Sequence, residues 1–293
     1  MKDDQASSTA YTVLQGILHV KNTSPYRDLV DPEVVKAGQR ILQASKEGRK
    51  RLAQLDSWLF QKTVNLRERL LLPGVSLHYV LRKRHVENIT RKGIENDVKQ
   101  VIILGAGFDT LSWRLHLNNA DVNFIEIDHP ATQVEKARAL EQGKQDNLHF
   151  LSVDFAKQDL KTALSEFEYF DAERKTLFIC EGVMMYLSLK DVDILFDSIR
   201  DLSGSGSEFV FSTLEPRGSE KNSVPVILYW HLKMIGEPIV WDIDSIKMPQ
   251  FITERGCQLM SIAGRDEMVD DQLNGNLSVQ VHQGEYFVHC VFD

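Results

Sequence analysis

The chain has 293 residues, with 34 lysines and arginines against 42 aspartates and glutamates, for a formal net charge of -8. That length can bury a full core, as one large α/β domain or a domain with additions, and the acidic balance excludes a global attraction to nucleic acid or anionic membrane. Three cysteines, Cys180, Cys257 and Cys290, are too widely spaced for a disulfide framework or a CxxC metal knuckle.

No apolar run reaches bilayer length, and the polar start MKDDQASS has no signal-peptide core, so the expected compartment is the cytoplasm. Thr9 to Val20 then places Val13, Leu14, Ile17 and Leu18 at helical spacing. Asp31-Pro32 reads as a second helix start, with proline at its first position and Val34, Val35 and Ile41 following. After a charged stretch, Leu52, Leu55, Trp58, Leu59 and Phe60 form an apolar stripe. Val64, Leu66 and Leu70 to Leu72 continue it, and Pro73-Gly74 ends it. His78 to Ile94 predicts a helix with Val80, Leu81, Val86 and Ile89 inward and basic residues outward. Residues 1–97 therefore read as a helical cover to a sheet-based core, residues 98–293.

Val101 to Leu104 suits a strand buried on both faces. Gly105-Ala106-Gly107 follows at once, and two glycines so placed permit a sharp turn and close backbone approach to a ligand. Asp109 and Thr110 can cap the next helix, which continues from Ser112 to Leu117. The second strand, Val122 to Ile127, brings Glu126 and Asp128 to about twenty residues past the first glycine, where a carboxylate can accept hydrogen bonds from ribose hydroxyls. Pro130 opens a helix through Leu140, with Val134 and Ala137 expected on its inner side.

Leu148 to Val153 is a third strand, leading to Asp154-Phe155, and a helix from Asp159 or Lys161 to Phe167 follows. Lys175 to Cys180 is a fourth strand, ending in Glu181-Gly182. Leu189 to Leu202 is amphipathic, with Val192, Leu195, Phe196 and Ile199 inward, and Glu208 to Leu214 is a fifth strand. Such regular alternation predicts one doubly wound, mostly parallel sheet. Residues 216–250 break the rhythm and read as an inserted helical segment that shapes substrate access or packs on the core. Leu259 to Ile262 and Glu285 to Phe292 supply the remaining strands.

A dinucleotide would favour a complete GxGxxG, but here Thr110 stands at the third glycine position. A metal reading fails because the 9 histidines never fall into HExxH or beside paired cysteines. Read from the residues alone, Glu126 also fits a structural carboxylate, Asp154 a helix cap and His231 a buried structural histidine.

The runs LGAGFDT, FIEIDHP and CEGVMMYL together resemble the leucine carboxyl methyltransferase-like family of S-adenosylmethionine-dependent methyltransferases. It includes enzymes that methylate the C-terminal leucine of protein phosphatase catalytic subunits, and microbial relatives acting on polyketide-type small molecules. The likeness covers roughly Ser8 to Arg200. It implies a class I methyltransferase Rossmann-like fold, with an N-terminal helical cover, a seven-stranded sheet and a helical insertion after the fifth strand. It implies S-adenosyl-L-methionine as cofactor and O-methylation of a small-molecule hydroxyl or carboxylate. Protein C-terminal carboxyl methylation is the alternative, as is cofactor binding without turnover.

By the same resemblance Gly105, Ala106 and Gly107 lie near the methionine portion, and Asp128, assisted by Glu126, holds the ribose. Asp154 meets the adenine amino group with Phe155 nearby, and Glu181 sits near the methionine ammonium. Arg82, with Arg84, pairs with the methionine carboxylate, as a planar guanidinium can. Tyr186 and His231 are the pocket candidates for the transfer itself. One departure stands out: Leu111 replaces the arginine that usually follows the Asp-Thr pair, while Arg114 is kept. The expected partner is a small molecule, without nucleic acid or membrane, and the chain is a monomer or homodimer.

Overall fold

The computed structural model describes residues 6–155, 157–234, 236–275 and 279–292, and of His231 the backbone alone. Five helices come first: α1 (Ser8–Thr23), α2 (Pro32–Gln43), α3 (Lys46–Leu55), α4 (Trp58–Leu71) and α5 (Val75–Glu95). Local chemistry starts the first four. Ser7, Asp31, Ser45 and Ser57 each accept a backbone N–H from the first turn, and Pro32 stands where no N–H is needed. The stripe expected to run unbroken from Leu52 to Leu72 is therefore two helices, because Ser57 caps a new one after Asp56. That new helix, α4, buries none of its residues, and Trp58 and Leu70 are 65% and 70% exposed.

The sheet holds β1 (Gln100–Leu104), β2 (Asn123–Asp128), β3 (Leu148–Ser152), β4 (Thr176–Cys180), β5 (Glu208–Leu214), β6 (Cys257–Ala263) and β7 (Glu285–Phe292). Its order is β3-β2-β1-β4-β5-β7-β6. The first five strands are parallel, and β7 runs antiparallel to both of its neighbours. Between the strands lie α6 (Leu111–Leu115), α7 (Pro130–Leu140), α8 (Leu160–Ser165) and α9 (Leu189–Asp201). After β5 come α10 (Val226–Met234), α11 (Met248–Thr253) and α12 (Arg265–Leu273). This is the class I methyltransferase Rossmann-like architecture, with its mostly parallel seven-stranded sheet, N-terminal helices and helical insertion. Among the described residues no helix is long and apolar enough to cross a membrane.

Strand alternation divides the core. Val101, Ile103, Leu177 and Ile179 face the layer that includes the N-terminal helices, while Ile102, Leu104, Phe178 and Cys180 face the opposite layer around Phe196 of α9. The inner side of α7 differs from expectation. Val134 is 53% exposed, and Thr132, Gln133 and Lys136 point inward. The reason is electrostatic: fully buried Lys136 meets fully buried Glu126 of β2 at 2.5 Å.

Within the insertion lies α10, whose Ile227 and Trp230 are exposed rather than packed on the core. Its return leg packs instead, with Trp241 buried and Ile243 donating its N–H to the Leu214 carbonyl at 3.1 Å. The chain order reverses between β1 and β4, and there the carboxyl ends of the parallel strands open a crevice.

Candidate functional site

A cavity of about 570 Å³ fills that crevice, a volume in the ordinary range for a cofactor or ligand site. Its floor is the turn after β1. Gly105 and Gly107 have φ of +68° and +49°, which non-glycine residues rarely adopt. A Cβ on Gly105 would also lie 2.4 Å from Val183 Cγ2. Every N–H of this turn is already used inside the protein. Gly105 and Ala106 donate to the Ile127 carbonyl at 2.9 and 3.1 Å, and Gly107 donates to Asp128 Oδ2 at 2.6 Å. The first amide of α6, on Leu111, donates to Asp109 Oδ1 at 2.6 Å. A pyrophosphate needs such amides free. Here two are spent on the Ile127 carbonyl and two on positioning the Asp128 and Asp109 carboxylates.

Asp128, at the end of β2, opens onto the cavity and also accepts the His129 N–H at 2.7 Å. Burial raises its pKa against the lowering effect of those two backbone donors. Glu181, after β4, lines the cavity and contacts Arg82 Nε at 2.8 Å and Lys83 Nζ at 3.1 Å. Lys83 also binds Asp109. Burial alone would raise the Asp109 carboxyl, but Lys83 holds it well below the usual range. Arg82 Nη1 reaches Glu285 Oε2 at 2.8 Å, and that carboxylate is met by His78 Nε2 at 2.8 Å and by the Ser212 hydroxyl at 2.7 Å.

The expected residues do not all share this cavity. Arg82, Arg84, the Gly105–Gly107 turn, Asp128, Glu181 and Tyr186 line it. Arg82 is not an outward basic residue but a buried one committed to two carboxylates, and Arg84 donates to the Leu29 carbonyl at 3.2 Å. Glu126 is not among the residues lining the cavity, and its carboxylate meets Lys136 within the protein. Asp154 and Phe155 follow β3, beside the strand ending in Asp128, but neither lines the cavity. Asp154 lies 2.8 Å from Lys157 Nζ, and Phe155 is half exposed. His231 falls on α10, with its side chain outside the described residues.

Lys83, Asp109, Glu285, Thr9 and Glu237 had no functional reading from the sequence. Lys83 lay within the Arg82-Lys83-Arg84 run and Asp109 within GAGFDT, but only the tertiary contacts give them partners. The first half of α1 roofs the cavity, and Thr9 Oγ1 donates to Glu237 Oε2 of the insertion at 2.5 Å. Leu111 is buried in the wall, and Arg114 turns to Glu87 at 2.7 Å.

The family model for leucine carboxyl methyltransferase matches residues 29–200, more than half of the chain. The chain belongs to the leucine carboxyl methyltransferase family. It is an S-adenosylmethionine-dependent methyltransferase of that family. A Mycobacteroides abscessus protein named as an S-adenosyl-L-methionine-dependent methyltransferase is 25% identical over 227 residues, covering 69% of this chain and 71% of the relative. A Mycolicibacterium paratuberculosis protein of the same description is 38% identical over 112 residues, so the chain matches only 35% of that relative's length. Among solved structures, one named as a methyltransferase from Thermobifida fusca YX superposes with a TM-score of 0.57 at 16% identity. That alignment covers 87% of this chain and 94% of the other, a likeness of fold.

Proposed function

We propose that this chain moves the methyl group of S-adenosylmethionine to an oxygen of a small-molecule hydroxyl or carboxylate. The observation that carries this reading is the site's acceptor set: carboxylates open onto a roofed cavity while the amides of the Gly105–Gly107 turn are consumed internally. A sulfonium nucleoside bearing an amino-acid end suits such a lining, because its hydroxyls and ammonium are donors. When bound, it supplies a methyl group already activated by the sulfonium.

Asp128 would then hold the ribose hydroxyls, with its carboxylate fixed by the Gly107 and His129 amides. Asp154 and Phe155, at the neighbouring strand end, would meet the adenine. Glu181 would take the ammonium. Tyr186 faces the same cavity, and burial, with Glu237 and Glu285 nearby, pushes its phenol well above the ordinary value. It stays protonated at neutral pH, so it can donate a hydrogen bond to an acceptor oxygen but does not serve as a base. A carboxylate acceptor is ionised there and needs none. Alignment and exclusion of water are then the chief tasks left to the protein. The α1 roof and its Thr9–Glu237 tie serve the second.

A labelled-methyl transfer assay against hydroxylated aromatics, free acids and a phosphatase-tail peptide tests this. Label is expected in a small acceptor. Preferential labelling of the peptide as its ester would overturn the small-molecule reading in favour of protein carboxyl methylation.

A further inference from the structure

We propose that α4 is a membrane-surface contact, seating the protein on an anionic lipid bilayer through its outward leucines and the basic residues that flank them.

An ordinary surface helix turns its apolar side to the core, and α4 is inverted. Its polar side chains hold it to the protein. Gln61 Nε2 donates to the Leu55 carbonyl at 2.7 Å, Asn65 Oδ1 meets His19 Nε2 of α1 at 2.9 Å, and Glu68 accepts the Ser76 hydroxyl of α5. Phe60 packs against the core beneath. Leu59, Leu66 and Leu70 lie outward, the first two 62% and 58% exposed. At 3.6 residues per turn these three fall within about 40° of one another, so they make one stripe. Single exposed leucines need no explanation, but a stripe does.

Basic side chains border the stripe on both sides. Lys62 and Arg69 fall on one flank beside Trp58, and Arg67 falls on the other, all exposed. Lys62 Nζ lies 4.7 Å from the Trp58 ring centre. The one acid of the helix, Glu68, is turned inward to Ser76. Long basic stems lie along an apolar layer while their heads reach phosphates, and an indole suits the headgroup boundary.

Charge chooses the occupant. The chain carries -8 overall, but between Lys46 and Leu71 seven lysines and arginines stand against three acids. Acids elsewhere are screened beyond a Debye length of about 8–10 Å, so the local excess decides what this face attracts. A second copy laid on it would set basic flank against basic flank. An anionic bilayer supplies an apolar layer for the leucines and phosphates for the flanks.

Co-sedimentation of the full chain with vesicles tests this, using phosphatidylcholine alone and phosphatidylcholine with about 30% phosphatidylserine. The chain is expected to sediment with the anionic vesicles only, and to leave them as salt rises. Leu59→Gln with Leu66→Gln and Leu70→Gln should lower the partition coefficient about tenfold or more. Lys62→Gln with Arg67→Gln and Arg69→Gln should do the same. Near-ultraviolet circular dichroism checks that each is folded. Should either triple variant fail to fold, Trp58→Phe answers instead. Vesicles with brominated acyl chains should quench tryptophan fluorescence in the unaltered chain and markedly less in that variant, and equal quenching in both would overturn the proposal. Failure to sediment with anionic vesicles, or equal binding to both vesicle types, would overturn it too. So would binding unchanged by both triple variants, which would move the contact to another face. A concentration-dependent dimer that the leucine changes abolish, with no vesicle binding, would give the stripe to a second copy instead.

Discussion

Lys136 and Glu126 meet at 2.5 Å between α7 and β2, and neither side chain has any exposure to solvent. Burial pushes the Glu126 carboxyl upward, against the lowering effect of Lys136, and removing either partner would leave the other buried without its counterpart. Lys136→Met is expected to destabilise the fold by about 3–5 kcal/mol, with the paired change Lys136→Met and Glu126→Gln recovering most of it. Urea unfolding measures both. The paired variant should also bind S-adenosylhomocysteine as the unaltered chain does, because this pair stands off the cavity wall. A large affinity loss there would return Glu126 to the ribose site.

Asp128→Ala removes the acceptor for the Gly107 N–H and, on the proposed reading, for the ribose. Cofactor binding should weaken by about 1–3 kcal/mol, read by calorimetry with S-adenosylhomocysteine. Near-ultraviolet circular dichroism establishes that the variant is folded. Full affinity in a folded variant would disprove the ribose role.

Gly105→Ala places a methyl group 2.4 Å from Val183 Cγ2 on a backbone with φ of +68°. The left-handed conformation alone costs an alanine roughly 1–2 kcal/mol. Thermal unfolding should show the loss, and Val183→Ala in the same background should restore part of it. The clash is relieved but the backbone penalty is not. Complete restoration would mean that the turn carries no penalty of its own.

Acid should weaken the fold through His282. Burial, with His78 and Arg82 nearby, lowers its pKa from 6.5 to about 4, with Glu285 opposing the shift. Between those values the unfolded chain holds a proton that the folded chain refuses, so stability falls as pH falls through the window. Above 6.5 the residue adds no slope. The limiting effect is on the order of 3 kcal/mol. Glu285 acts in the same direction at lower pH. Burial would raise its carboxyl, but Arg82, His78 and Ser212 hold it well below 4.5, so its contribution is present above that value and lost as pH drops through the folded one. Melting temperatures across the window should fall less steeply in His282→Gln. Identical slopes would assign the acid sensitivity to other groups.

Thr9→Val removes the 2.5 Å bond to Glu237 across the roof. Losing about 1 kcal/mol there should speed S-adenosylhomocysteine release by roughly fivefold, followed by stopped-flow fluorescence. An unchanged release rate would show that exchange does not require α1 and the insertion to part.

What could be read before the structure was local. Val101 to Leu104 followed by Gly105-Ala106-Gly107 signals a strand and a tight turn from a few adjacent residues, and the alternation after it dictates the parallel sheet. Apolar periodicity served α9 well, since Val192, Phe196 and Ile199 are buried as spaced. It misled at α7, where a partner on another strand draws in Lys136 and leaves Val134 outside. The short capping signal at Ser57 was lost in a longer apolar pattern, and α12 had no apolar stripe strong enough to announce it. Lys83 and Glu285 were beyond sequence reasoning for a different reason. They lie more than two hundred positions apart, and both meet the neighbourhood of Glu181 only after the sheet has formed.

The direction of β7 has a practical side. Glu285 enters beside the cavity, but Phe292 finishes at the far rim of the sheet, where its N–H binds the Ser207 carbonyl at 2.9 Å. A fusion partner or solid support joined behind Phe292 would hang away from the α1 roof. Joined ahead of Ser7, whose N–H binds the Thr132 hydroxyl at 3.1 Å beside that roof, the same cargo would crowd the catalytic face.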